Sequence, residues 1–140
     1  MAIVAARALC IVAVMEMLTD LRTSVVHGRA FVVMGFCVGA FAAYVPQLKG
    51  HAGLSDAEFG LALLIGAAGA VGAMWLAPKV DRKLGASAMA ICSLLLAAAF
   101  LLPGLAGSWV TFAGAMFLAS GAGGLLDVVM NARLSGLEAR

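Results

Sequence analysis

The chain has 140 residues, 64% of them hydrophobic and 11% charged, and nine Lys/Arg against seven Asp/Glu give a net charge of +2. Soluble domains carry about 45–50% apolar and ~25% charged residues, so this composition excludes a disordered chain and a disulfide scaffold and points away from a water-soluble enzyme. The charge is too small and too scattered for nucleic-acid binding, whereas spans of about 20 apolar residues fit several times.

In chain order, residues 1–28 come first. Met1–Met15 is apolar but interrupted by Arg7, and only residues 8–15 are uncharged before Glu16. That run is too short to cross a bilayer. Arg7 lies inside the apolar run rather than ahead of it, unlike the pattern of a secretory signal. Residues 1–28 are therefore expected to lie in the membrane plane or to be unstructured.

Charges divide the rest of the chain, because each Asp, Lys or Arg at a helix centre costs about 2.5–3.5 kcal/mol on insertion. Ala30–Leu48 is uncharged for 19 residues and ends in Tyr44-Val45-Pro46, an interfacial aromatic and a proline stop. The polar link Lys49–Glu58 closes with Ser55 and Glu58, the spacing of a capping box. Phe59–Pro78 gives 20 more uncharged residues, bounded by Lys79-Val80-Asp81-Arg82-Lys83. Leu84–Leu126 is uncharged for 43 residues. One helix of that length would overshoot a core of ~30 Å about twofold. Pro103-Gly104 and Gly107-Ser108 supply the break, with Trp109 suited to an interface. The expectation is an all-α membrane bundle over residues 29–140, with four spans at about 30–48, 59–78, 85–103 and 109–132.

The positively charged links then set orientation. Residues 20–29, 79–83 and 133–140 are expected in the cytoplasm, with both ends of the four-span core inside and the chain in the inner (plasma) membrane. Small residues recur at helical spacing: Gly35 and Gly39, Gly66 with Ala70, Gly69 with Ala73, and Ser120 with Gly124. Between membrane helices such residues allow close backbone approach. Cys10, Cys37 and Cys92 sit in apolar runs as small hydrophobes. His27 and His51 stand alone, so neither a metal site nor a cofactor is expected.

Asp127 is the carboxylate within the last span. Ser120, Gly124, Asp127 and Asn131 share one helical stripe, and Asn131 is within side-chain reach of Asp127. Intramembrane carboxylates usually face a bundle interior or a water path. Asp127 is equally placed to reach the headgroups, since the 18 residues from Trp109 rise about 27 Å. Asp81, Arg82 and Gly85 read by themselves as a polar loop.

Two stretches resemble the major facilitator superfamily. Ala77-Pro78-Lys79-Val80-Asp81-Arg82-Lys83-Leu84-Gly85 resembles its helix 2–3 signature, with Ala77 in place of the first glycine and one extra residue before Gly85. Gly121–Ala132, with Asp127 followed four residues later by Asn131, resembles helix four of the fucose-permease-like branch. Val45-Pro46-Gln47-Leu48 and Leu54-Ser55 through Gly60 are similar to the end of helix one and the start of helix two there. The resemblance covers about residues 29–138. It implies that Asp127, with Asn131 beside it, is a proton-coupling or sugar-facing residue. It also implies that Asp81 and Arg82 belong to a cytoplasmic latch. The acid that fucose transporters of the branch carry in helix one is replaced here by Ala42, which leaves two-carboxylate coupling without its partner.

The family fold has twelve helices, and the resemblance covers the first four. The expected function is therefore a transporter of a sugar or other small solute, with protons as coupling ion. It is expected as a truncated or split chain that is not competent alone and depends on a second chain for the missing helices. The alternatives are a non-transporting membrane remnant or interaction protein, and a homodimeric four-helix proton-coupled exporter using Glu16 or Asp127. An enzyme is not expected, because no nucleophile–base pair, metal cluster or phosphate loop is present in the sequence.

Overall fold

The structure, a computed structural model, describes residues 23–138. The proposed placement of Met1–Leu18, with Arg7, Cys10 and Glu16, lies outside the described residues. The described chain forms four helices: α1 (Thr23–Ala52), α2 (Asp56–Leu84), α3 (Ala88–Ala99) and α4 (Trp109–Glu138). Short 3-10 turns, Gly85–Ser87 and Leu102–Leu105, flank α3. No strand occurs among the described residues.

Each boundary has a local cause. α1 does not stop at Pro46 but continues to Ala52. A proline removes one ladder hydrogen bond, and a long apolar helix of membrane type tolerates that loss. The helix ends instead at Gly53, whose φ of +64° only glycine adopts without strain. The Leu54 N–H then returns to the Lys49 carbonyl at 2.9 Å, satisfying an end carbonyl in a Schellman motif. Ser55 starts α2 with the capping box its spacing implies. The Glu58 N–H donates to Ser55 Oγ at 3.3 Å, and the Ser55 N–H donates to Glu58 Oε2 at 2.8 Å.

α2 likewise passes through Pro78 and runs to Leu84. Lys79–Lys83, expected as a loop, is therefore its last helical turn. Arg82 and Lys83 there complement the negative end of the helix dipole. Ser108 opens α4 by a reciprocal pair with Thr111. The Thr111 N–H reaches Ser108 Oγ at 3.4 Å, and the Ser108 N–H reaches Thr111 Oγ1 at 3.1 Å.

The chain doubles back at Gly53–Ser55, at Gly85 and near 100–108, so α2 and α4 run parallel while α1 and α3 run the other way. Two facts fix the parallel pair. The Trp109 indole N–H donates to the Glu58 carbonyl at 3.0 Å at one end. Arg133 meets Asp81 at the other. The α2–α4 contact dominates the packing. One core cluster, with Cys37, Ala77, Cys92, Leu96, Leu126 and Met130, fills the Asp81 end. A second, around Ala62, Phe112 and Met116, fills the Trp109 end.

Three helical stretches are long and apolar enough to cross a bilayer: Phe31–Ala52, Asp56–Leu105 and Trp109–Arg133. The expected count of four is not supported on this measure. The 12-residue α3 rises only about 18 Å, short of a ~30 Å core. It is joined to α2 through the turn at Gly85, so the middle stretch runs 50 residues.

Candidate functional site

The α2–α4 seam is built on glycine. A Cβ at Gly69 would run into the main-chain carbonyl of Phe117, and one at Gly124 would stand 2.6 Å from the Ala70 carbonyl oxygen. A Cβ at Gly66 would stand 2.8 Å from Ser120 Oγ. Here the small residues at helical spacing do let two backbones touch. Gly35 and Gly39 behave differently. Both are exposed, and a Cβ on either would meet nothing within 4 Å. α1 packs instead through Val33 and Cys37 on its other face.

The seam carries the polar stripe. Ser120 and Gly124 touch α2. Asp127 and Asn131 continue the same row towards the Asp81 end. The Asn131 amide donates to Asp127 Oδ1 at 3.1 Å. Asp127 is half-buried and Asn131 exposed. A carboxylate and an amide thus stand side by side on a helix that is otherwise largely apolar. This pair can bind a proton, a cation or a hydroxyl-rich solute, since it presents acceptors and donors together.

A second polar group closes the end of the seam. Arg133 donates to Asp81 Oδ1 through Nη2 at 2.7 Å and through Nε at 3.2 Å. Its Nη2 also donates to the Gly85 carbonyl. Both side chains are largely covered, Arg133 at 25% and Asp81 at 33% exposure. The structure therefore brings Asp81 and Gly85 together, but through Arg133. Arg82, grouped with them on sequence, is exposed on the outer side of the same turn.

Arg133 was missed because it lies 52 residues from Asp81, and only the parallel α2–α4 arrangement brings them together. The signal that could have found it is topological. A basic residue at the end of the last span belongs at the same membrane face as the lone acid, Asp81, in the turn after span two.

The opposite end is closed by local contacts. The Lys49 ammonium pairs with Asp56 and lies 5.9 Å from the centre of the Phe59 ring. Among the described residues no group of three His, Cys, Asp or Glu side chains is disposed to hold a metal ion.

No family model matches the chain, and no solved structure matches it. It is similar to a curated protein named "Membrane protein MosC" from Rhizobium meliloti, with 37% identity over 109 residues. That match covers 77% of this chain but 27% of the relative, so the chain spans about a quarter of the length of the curated relative it matches. Together with three helical stretches able to cross a bilayer, this likeness places the chain in a membrane.

Proposed function

We propose that these helices belong to a solute transporter of the major facilitator type, carrying a sugar or other small solute with protons, and that transport requires helices beyond those described. The observation that carries this reading is the Asp127–Asn131 pair. A carboxylate in an apolar helix is costly unless it serves a water path or a binding site, and here it is held by an amide and left open on one side. Transport sites of this kind lie between bundles, which accords with the greater length of the relative. The inner membrane, with the Asp81–Arg133 end in the cytoplasm, is the orientation that the Lys/Arg distribution favours.

The reading includes a fourth pass by residues 85–105. Its support is geometric. Gly85 lies beside Arg133 at one end of the seam. Ala106 packs with Phe112 and Ala62 at the other. The short helix α3 and its two 3-10 turns thus cover the distance that α2 covers in the opposite direction.

The test is uptake into proteoliposomes under an imposed proton gradient, using a panel of labelled neutral monosaccharides. The chain alone should match empty vesicles. A chimaera of the Rhizobium relative carrying α1–α4 of this chain in the matching stretch should take up at least one sugar, and Asp127→Asn should cut that uptake about tenfold or more, typical of losing an acid–base group. Uptake indifferent to Asp127→Asn removes the pair from the mechanism. Uptake by the chain alone favours the self-sufficient exporter.

A further inference from the structure

The three reversals of the chain are held in different ways. The α1–α2 reversal is closed by its neighbours in sequence: Gly53, the Leu54 N–H on Lys49, the Ser55–Glu58 box and the Lys49–Asp56 pair. The α3–α4 connection ends in the Ser108–Thr111 box. The α2–α3 reversal has no such local support. It consists of three 3-10 residues, and neither that turn nor the start of α3 has a side-chain cap. α2 and α3 make little contact with each other, and each packs mainly on α4.

What remains at that turn is the backbone and one remote side chain. Gly85 takes φ +52°, and its N–H closes on the Asp81 carbonyl. The Ala88 N–H closes on the Gly85 carbonyl. Arg133 then grips both sides of the bend, the Asp81 carboxylate before it and the Gly85 carbonyl after it. It also neutralises an acid placed in the last turn of a helix, where the dipole disfavours negative charge.

We propose that Arg133 is a staple supplied by α4, a positioning residue that keeps the α2–α3 reversal closed. Without it, Gly85 would be free to open, and α3 would lose its seat on α4 while the α2–α4 seam stays in place. The inference is independent of what the protein transports.

Cys92 is a native reporter, because it lies one turn into α3 and is fully buried in the cluster beside the bend. The experiment tracks labelling by a water-soluble maleimide of the full chain in lipid vesicles, with Cys10→Ala and Cys37→Ala leaving Cys92 as the sole thiol. Arg133→Ala should raise the Cys92 rate about tenfold or more, through more frequent local opening. Arg133→Lys should fall between parent and Ala, and Arg82→Ala should stay within about twofold. A second reporter, Ser120→Cys with Cys92→Ala, reads the α2–α4 seam and should not respond to Arg133→Ala. A Cys92 rate unchanged by Arg133→Ala overturns the proposal. So does an equal rise from Arg82→Ala, or an equal rise at Ser120→Cys, which would mean that the whole bundle has loosened. If Arg133→Ala fails to insert, Asp81→Asn decides: faster Cys92 labelling with a quiet Ser120→Cys supports the staple, and no change overturns it.

Discussion

The α2–α4 seam and α1 carry the same motif and use it differently. In the seam, Gly66, Gly69 and Gly124 sit at backbone contacts where no side chain fits. In α1, Gly35 and Gly39 have equal spacing and open space around them. The apolar windows differ accordingly: half of the α4 window is buried, against 11% for α1. Spacing of small residues therefore tells which helices are able to approach closely, not which face is taken. In lipid the distinction is sharp, because apolar burial does not drive helices together and close packing must do so.

The contrast can be broken by substitution, read as reversible unfolding in mild detergent. The largest effect is expected in the seam. Gly69→Ala and Gly124→Ala force α2 and α4 apart and should each cost about 1–3 kcal/mol, as overpacking does. Gly35→Ala and Gly39→Ala should stay within about 0.5 kcal/mol or stabilise slightly. Equal losses in both sets would erase the difference. Next comes Gly85→Ala, with an expected cost of about 1–2 kcal/mol for its left-handed φ. No atom stands within 4 Å of the added Cβ, so that loss is purely conformational. Gly104→Ala, where space is open and φ ordinary, is its control and should change little. The smallest effect is Trp109→Phe, which keeps an aromatic ring but deletes the N–H that reaches the Glu58 carbonyl. Its cost should be about 0.5–1.5 kcal/mol, and no cost would show that this indole–carbonyl bond does not help to hold the starts of α2 and α4 together.

Much of the architecture was legible because membrane insertion penalises charge so heavily. The windows between Arg29, Lys49, Glu58 and Lys79 locate α1 and α2, and the Ser55–Glu58 box marks the start of α2 to the residue. The prolines misled. Pro46 and Pro78 look like stops in isolation, yet both helices run on for six residues, since the main chain regains its partners in the next turn. The Asp127–Asn131 hydrogen bond was readable because a four-residue spacing is local. Arg133 was not, because its partners come from a helix two elements earlier. The same holds for the faces of the glycines: local spacing lists candidates, and only the packing direction chooses among them.

The parallel course of α2 and α4 also has a consequence in time. Asp81 and Arg133 are separated by 52 residues, and synthesis proceeds at about 5–20 residues per second. For about 3–10 s after α2 emerges, at that pace, its glycine face has no partner from its own chain and must rest against lipid or the insertion machinery. A hairpin of adjacent helices would close at once, whereas this pair waits for α3 to pass between them. The seam that packs most tightly in the finished protein thus stays open for seconds while the protein is being made.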